Sequence, residues 1–366
     1  MKRFGLIAVV FVITLVAFVA GYVVNRISNP DLPYETPKYA LDGSVNVPGF
    51  NLPPSIYMSE EAVKMLKLRA LAPAFSLDAD QDINKRREEL DKMMLSTVTT
   101  MKEKYPVIIE ETTIAGVPAR IFTPKGKTAH PDRVLINLHG GAFSVCWDSC
   151  SILESTPIAS LGGFKVVSLN YRMAPEAIHP AAVEDVLNVY RELMKSYKTK
   201  HIGIFGCSAG GALTAQAAAL IAIEGLDSPG AIGIFGAGAA CFGTGDSAYV
   251  AGYIDGSFPP PTQEGKPRVD IMHGYFTGAD MTDPIISPAL HPEVLAKFPP
   301  TLITTGTRAT DLSPAVLTNS KLIKNGVPST LIVGEGMGHC FQYFADYPEA
   351  QDVYEATVSF FNENLR

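Results

Sequence analysis

The stretch HIGIFGCSAGG, residues 201–211, decides the fold, because it places a serine between an apolar strand and a helix of small residues. Ser208 stands between Gly206 and Gly210 in a G-x-S-x-G pattern. Glycines are needed where a strand and the following helix nearly touch, and a serine on such a tight turn projects its Oγ above the sheet. The helix N-terminus and the Ala209 amide add positive potential there. The pattern therefore predicts a reactive serine, and a glycine-rich turn with a passive serine is the alternative.

Short apolar or alternating runs start at Val107, with helical stretches between the later ones. The first two are joined by Ala115 and Gly116, which predicts an antiparallel hairpin at a sheet edge. Apolar strands that alternate with helices predict a parallel arrangement covered on both faces. The fold class is therefore α/β, a mostly parallel sheet of about eight strands with helices on both faces. The runs are VIIEETTI, VPARIFTP, RVLINLHG, KVVSLNYR, HIGIFG, AIGIFGAGA, TLITTGT and STLIVGE.

Two amphipathic segments precede these runs. Ser59 can cap the first, EEAVKMLKLRALA, and the second covers residues 83–105. Each carries apolar side chains on one face, as a helical cap over another domain does. We therefore expect a linker and cap helices over residues 30–105 and an α/β domain over residues 106–366. Residues 242–278 interrupt the alternation of strands and helices, which indicates a second cap segment.

The N-terminus has the composition of a membrane segment. Two basic residues precede an uncharged apolar run from Phe4 to Val24, which is 21 residues long. About 20 residues cross a bilayer as a helix, whereas a cleaved signal peptide has a shorter apolar region of about 7–15 residues. We expect residues 1–29 to hold an uncleaved signal anchor, with the domain exported to the periplasmic or extracellular side. Secretion after cleavage near Ala20 is the alternative.

The charge of the chain argues against nucleic acid as a partner. The 366 residues are 47% hydrophobic and 18% charged, with a net charge of -7 and no run of Lys or Arg in the globular part. This composition is typical of a folded domain and gives no electrostatic footprint for nucleic acid. A small neutral organic ligand fits it better.

Five cysteines are an odd number, so at least one stays unpaired if the others pair within the chain. Cys146 and Cys150 in CWDSC are the only close pair. Helical spacing would put their Cβ atoms about 5–6 Å apart, beyond the ~3.8 Å of a disulfide. A disulfide between them therefore requires a turn at this point. Two separate buried thiols are the alternative. No metal is expected, because no second Cys or His pair stands at ligand spacing.

The stretch INLHGGAF ends another apolar strand in small residues. Such residues let backbone N–H groups point into a site and stabilise an oxyanion, each donor being worth ~10²–10³ in rate. We predict an oxyanion hole at Gly140, Gly141, Ala142 and Ala209, in which Gly140 forms the turn and the other three donate their amides. His139 is expected to hold this loop by hydrogen bonding.

The stretch GEGMGHCF follows the strand STLIV and offers His339 on a loop. A serine hydroxyl is a poor nucleophile until a neighbouring imidazole accepts its proton. The order Ser208, then an acid, then His339 is the order found in α/β-hydrolases. We therefore predict Ser208 and His339 as nucleophile and base.

The chain resembles the hormone-sensitive-lipase-like group of α/β-hydrolase esterases, the bacterial family IV esterases, from about Val107 to the C-terminus. The motifs that carry the resemblance are HGGAF, NYRMAPE, HPAAVEDV, GCSAGG, TDPIISP and EGMGHCF. It implies the α/β-hydrolase fold with a cap over the active site, hydrolysis of short acyl esters, and neither a metal nor an organic cofactor. By analogy with the family, a homodimer is also open.

Three positions depart from the pattern of that family, which usually has Gly at Ala142, Asp at Cys207, and the acid of the triad at Ala309. A triad histidine needs a carboxylate to fix its tautomer, and losing that group can cost about 10⁴ in kcat. Asp311 is the nearest replacement at the end of the same strand, and we predict it as the acid. Asp283 is the alternative, and Asp280 or no acid at all remains open.

Two other functions remain open beside a short-chain esterase. A lipase acting on longer acyl chains is one, since an anchored protein meets lipids. A non-catalytic binding member of the fold is the other; receptor-like relatives of this family lack the histidine, and His339 is present.

Overall fold

An eight-stranded sheet is the centre of Pro54–Arg366, one of the two units into which the chain divides. The computed structural model describes residues 14–19, 35–69, 71, 82–126, 130–255 and 272–366. The other unit, Met1–Pro53, contains a short antiparallel pair, β1 (Lys38–Tyr39) and β2 (Val45–Asn46). The strands of the large sheet are β3 (Val107–Ile114), β4 (Val117–Pro124), β5 (Val134–Leu138), β6 (Lys165–Leu169), β7 (Ile202–Cys207), β8 (Ala231–Phe235), β9 (Thr301–Gly306) and β10 (Ser329–Gly334).

The strands lie in the order β10-β9-β8-β7-β5-β6-β4-β3. The pairs β3/β4 and β4/β6 are antiparallel, and the neighbours from β6 through β10 are parallel. The mostly parallel sheet of eight strands and its edge hairpin are thereby confirmed. Because ligands bind beyond the carboxyl ends of the strands in open α/β sheets, the loops at that edge are where a site is expected.

Nine helices in the described part of Pro54–Arg366 surround the sheet and precede it. They are α1 (Glu60–Arg69), α2 (Ile83–Lys104), α3 (Trp147–Gly162), α4 (Ala181–Leu193), α5 (Ala209–Ile223), α6 (Asp246–Asp255), α7 (Pro292–Leu295), α8 (Leu312–Lys324) and α9 (Pro348–Asn364). Short 3₁₀ turns lie at Thr199–His201, Pro288–Leu290 and Phe341–Tyr343.

The apolar core lies on both faces of the sheet. On β5, Ile136 packs in one cluster with α4 and α5, and Leu135 packs in the other with α3 and α9. Every residue of β5 is buried. A strand covered on both faces has no polar face to present, which is why the central runs read as continuously apolar instead of alternating.

The two helices before the sheet start as their sequences predict. The Ser59 hydroxyl accepts a hydrogen bond from Ala62 N at 3.2 Å at the start of α1, and Asp82 caps α2. The expected boundary at residue 105 falls between α2 and β3, while both helices belong to the same unit as the sheet, Pro54–Arg366. Of the expected second cap segment, residues 256–271 lie outside the described residues.

The predicted N-terminal anchor, residues 1–29, lies outside the described residues except for 14–19, which are helical. Within the described part of the chain, no helix combines the length and apolar character that crossing a membrane requires.

Candidate active site

Ser208 occupies the turn between β7 and α5 in a backbone conformation that few residues adopt, with φ 59° and ψ -122°. The flanking glycines are required by close packing. A Cβ on Gly206 would lie 2.1 Å from the Leu138 carbonyl oxygen, and one on Gly210 would lie 1.7 Å from it. The sequence therefore folds into the tight strand-to-helix turn that the G-x-S-x-G pattern predicts.

His339 reaches this serine from the loop after β10. Its Nε2 lies 2.9 Å from the Ser208 Oγ. Its Nδ1 lies 2.6 Å from Asp311 Oδ1, and the two side chains are 9% and 0% exposed. A neutral imidazole in this arrangement donates its Nδ1–H to the carboxylate and presents the unprotonated Nε2 to the serine hydroxyl as its proton acceptor. The three side chains form one continuous hydrogen-bonded chain.

Asp311 is the carboxylate that the structure brings to the histidine. Its second oxygen accepts a hydrogen bond from the Thr305 hydroxyl at 2.6 Å. Asp283 instead accepts from the Ile285 amide at 2.8 Å, and Asp280 accepts from Thr282. Both of those aspartates close local turns, so of the three candidates only Asp311 contacts the imidazole.

The predicted oxyanion loop follows β5 in unusual backbone conformations. Gly141 has φ 115°, and a Cβ there would lie 2.0 Å from the Val145 carbonyl oxygen. Ala142 has φ 51°. Among the described residues, the amides of Gly141 and Ala142 have no hydrogen-bond acceptor, and Ala209 has none within its helix because it is the first residue of α5. These are the three amides predicted as donors.

Gly140 does not donate to the site. Its amide donates to Glu154 Oε1 at 2.8 Å, so its place in the predicted oxyanion hole is limited to shaping the turn. A side chain would not fit there, because a Cβ on Gly140 would lie 2.6 Å from the Tyr343 hydroxyl.

Glu154 is a functional candidate that the sequence motifs do not reveal. It is 7% exposed in α3 and accepts hydrogen bonds from the Tyr343 hydroxyl, the Asn137 amide group, and the backbone amides of Gly140 and Cys207. Burial raises the pKa of Glu154 to about 7, although each of the four hydrogen bonds lowers it. The carboxyl group therefore joins the oxyanion loop to the serine turn. A lone acid in the otherwise uncharged run SILESTP is the one signal that could have found it.

His139 supports the loop by hydrogen bonding, as expected. It is fully buried, and its Nδ1–H donates to the Gly140 carbonyl oxygen at 2.6 Å. Its ring stacks on Tyr171 at 4.5 Å. Burial lowers its pKa to about 4, so it stays neutral at physiological pH.

The cysteines form two disulfides and leave Cys241 as a thiol. Cys146 and Cys150 are bridged, with Cα atoms 5.3 Å apart. Cys146 precedes α3 with φ 76°, which supplies the turn that such a bridge requires. The second bridge, Cys207 to Cys340, spans 133 positions and has no short-range sequence signal.

A cavity of about 690 Å³ opens onto the serine, the histidine and the predicted donor amides. It lies between α1 and α2, the helices predicted as a cap, and the loops at the sheet edge. Seven of the eleven methionines in the chain line it: Met58, Met65, Met93, Met94, Met272, Met281 and Met337. Methionine side chains adapt to ligands of different shape. The described residues contain no cluster of His, Cys, Asp or Glu that could hold a metal.

A serine on a strand–helix turn and a histidine on the loop after the last strand, on an eight-stranded mostly parallel sheet, define the class of α/β hydrolases. The sequence profile of the family described as alpha/beta hydrolase fold matches residues 135–343, more than half of the chain. The chain belongs to this family.

Known proteins resemble it over different lengths. An acetyl-hydrolase of Streptomyces hygroscopicus is 27% identical over 232 residues, which are 62% of this chain and 75% of that protein. This chain spans only 40% and 30% of the lengths of two further curated relatives. The crystal structure of an esterase E25 is 28% identical, with a TM-score of 0.77 over 88% of this chain and 99% of that one.

The resemblance to the hormone-sensitive lipase group is confirmed by a solved esterase from the bacterial hormone-sensitive lipase family. It is 25% identical with a TM-score of 0.70, over 84% of this chain and 98% of that one.

Proposed function

We propose that this protein is a serine carboxylesterase that hydrolyses short-chain acyl esters. The observation that carries the proposal is the hydrogen-bonded chain from Ser208 Oγ through His339 to Asp311. A serine oxygen so placed is activated without any other group, because the imidazole accepts its proton and the carboxylate stabilises the imidazolium that results.

The proposed reaction is acyl transfer to water. Ser208 Oγ attacks the ester carbonyl while His339 Nε2 takes the hydroxyl proton, and the imidazolium then protonates the leaving alcohol. The amides of Gly141, Ala142 and Ala209 stabilise the oxyanion. A water molecule, deprotonated by the same imidazole, then attacks the acyl-enzyme; the bond to Ser208 Oγ breaks, the acid is released, and the imidazolium returns its proton to Oγ.

Two observations support a carboxylic ester as the substrate. The related protein of Streptomyces hygroscopicus is an acetyl-hydrolase, and the similar crystal structure is that of an esterase. The cavity wall is mostly apolar, and the lining polar groups include Ser208 and His339. Such a site suits a neutral ester with an apolar acyl or alcohol group.

Replacing Ser208 tests the proposal. Ser208→Ala removes the nucleophile, and we expect hydrolysis of p-nitrophenyl acetate and butyrate to fall by about 10⁴-fold or more, since triad members act as a unit. Ser320→Ala, an exposed serine on α8, is the matched control and should keep wild-type kcat. Wild-type turnover by Ser208→Ala would refute the assignment.

A lipase acting on longer acyl chains is the second candidate, favoured by the volume and the methionine lining of the cavity. Turnover of p-nitrophenyl esters from acetate to palmitate separates the two. A maximum in kcat/KM at two to six acyl carbons supports the short-chain esterase, and a maximum at ten or more supports the lipase. Binding of an ester without turnover by the wild-type protein would instead indicate a non-catalytic member of the fold.

We further propose that the protein acts outside the cytoplasm, with its N-terminal apolar run as the anchor. The two disulfides support an oxidising compartment, where such bonds persist. Cell fractionation with N-terminal sequencing distinguishes an anchored protein from one secreted after cleavage near Ala20. The homodimer suggested by the resemblance stays a prediction, for which light scattering is the test.

A further inference from the structure

The Cys207–Cys340 disulfide joins the two segments that carry the proposed nucleophile and base. Cys207 is the residue before Ser208, and Cys340 is the residue after His339. The bond therefore creates a covalent path of a few residues between two side chains that are otherwise 131 positions apart in the chain. The second bridge, Cys146–Cys150, closes only a four-residue separation and has no such effect.

The surrounding backbone leaves space for this bond and for the imidazole together. Gly236, just after β8, has φ 56° and packs beneath both. A Cβ there would lie 2.8 Å from Cys340 Sγ, 3.0 Å from Cys207 Sγ and 3.2 Å from His339 Cε1. The disulfide and the histidine ring thus pack against the same glycine. A shift of the sulfur atoms would therefore change the packing that holds the ring in place.

The backbone at or beside the two ends of the bridge adopts uncommon conformations. Cys340, one end, has φ 50°, and Ser208, the residue after the other end, has φ 59°, both unfavourable for residues other than glycine. On the serine side, the Cys207 amide donates to Glu154 and Gln342 Nε2 contacts Cys207 Sγ at 2.9 Å. Residues in such conformations persist only where neighbouring groups over-determine them.

We propose that the Cys207–Cys340 disulfide is a positioning element for ester hydrolysis, which holds His339 Nε2 at hydrogen-bonding distance from Ser208 Oγ. The inference rests on the proposed function. Cys207 and Cys340 are positioning residues, since they act through the neighbouring side chains. The tether adds to the Asp311 contact, which fixes the other edge of the imidazole ring. A displacement of about 1 Å at reacting groups can cost 10²-fold in rate.

The double variant Cys207→Ala/Cys340→Ala tests this directly. At a temperature well below its unfolding midpoint, we expect kcat to fall about 10- to 100-fold with KM within about twofold of wild type. A bond that serves only global stability would lower the unfolding midpoint and leave kcat of the folded protein unchanged. Wild-type kcat in a folded double variant, shown by its circular dichroism, would overturn the inference.

Reduction supplies the matched control. A dithiol thiolate attacks the Sγ of Cys340, a residue that lines the cavity, and Cys207 leaves as a thiolate. The second thiol of the reagent then attacks the mixed disulfide, closes its own ring and releases Cys340, so the two cysteines gain two electrons and become thiols. In wild type and in Cys146→Ala/Cys150→Ala, kcat should fall in proportion to the reduced Cys207–Cys340 fraction, measured by alkylation and mass spectrometry. In Cys207→Ala/Cys340→Ala, the dithiol should leave kcat unchanged. A loss that follows reduction of Cys146–Cys150 instead would overturn the inference.

These outcomes separate the two proposals. An ester hydrolase whose Ser208→Ala variant is inactive, and whose double cysteine variant is as fast as wild type, keeps the proposed function and refutes the positioning role. A wild-type protein without ester hydrolysis refutes the proposed function itself.

Discussion

Glu154 contacts both the proposed oxyanion loop and the serine turn. Its two oxygens accept from the Gly140 and Cys207 amides, the Asn137 side chain and the Tyr343 hydroxyl. Tyr343 lies just after the histidine loop, so three segments of the site meet at one carboxyl group. Burial raises its pKa to about 7, against four hydrogen bonds that favour the ionised form.

We predict that Glu154→Gln lowers kcat at pH 7.5 by about 10-fold or more. The amide NH₂ cannot accept, so at least one buried donor loses its partner, which costs about 1–3 kcal/mol and displaces the loop or the turn. Glu192→Gln, an exposed glutamate paired with Lys195, is the control. Initial rates on p-nitrophenyl butyrate measure both. Equal rates for Glu154→Gln and wild type would exclude the role.

At the scale of elements, the loop after β9 explains how the Asp311 carboxylate reaches His339 from two residues beyond Ala309. Ala309 N donates to the Gly306 carbonyl oxygen at 3.1 Å, so the chain turns immediately after the strand. Asp311 follows as the residue before α8, where it is fully buried and turned toward the histidine. The segment that carries the candidate acid could be predicted from the sequence, because the family has its triad acid after this strand. Its exact residue depended on the turn, which no local pattern shows.

Arg87 connects α2, a predicted cap helix, to the segments that follow β5 and β6. Its guanidinium donates to both carboxylate oxygens of Glu176, at 2.7 and 2.9 Å. It also donates to the carbonyl oxygens of Ser144 and Ala174. Ser144 belongs to the loop that follows Ala142, so this one side chain connects the cap with the proposed oxyanion loop.

We predict that Arg87→Ala raises KM several-fold and lowers the unfolding free energy by about 1–3 kcal/mol, since charged hydrogen bonds are lost between cap and body. Lys85→Ala is the matched control on the same helix, because its partner Glu89 is 3.8 Å away and both side chains are mostly exposed. It should change stability by less than about 1 kcal/mol. Ester kinetics and urea unfolding measure the two effects. An unchanged KM in Arg87→Ala would contradict the contribution of the cap to binding.

At the scale of the whole molecule, the sheet was predictable because its central strands are apolar on both faces, the strands of the edge hairpin alternate, and helices separate the later strands. The eight runs between Val107 and Gly334 all became strands. Glu154 and the Cys207–Cys340 bridge were not predictable, since each depends on contacts between segments far apart in the chain. Periodicity records which face of an element is buried and carries no information on which distant element covers it.

The stability of the molecule should depend on pH through Glu154. Its folded pKa of about 7 lies above the ordinary value of 4.5, so the folded state holds this proton more tightly. The contribution is fully present below pH 4.5 and is lost as pH rises through 7. We therefore predict that the unfolding free energy of wild type falls relative to Glu154→Gln by on the order of 1–3 kcal/mol between pH 4.5 and 8. Urea unfolding of both proteins across this range measures it, and a difference independent of pH would contradict it.

The most direct test of the proposed Ser208–His339–Asp311 triad is the kcat of Asp311→Asn beside Asp283→Asn, measured on one short p-nitrophenyl ester across pH 5–9. The Asp311→Asn substitution keeps the shape of the side chain and removes the charge that stabilises the imidazolium, so we predict a loss of about 10³–10⁴-fold. Asp283→Asn should remain within a few-fold of wild type, because Asp283 caps a turn and does not contact His339. An Asp311→Asn variant with wild-type kcat, or a larger loss in Asp283→Asn, would contradict the triad.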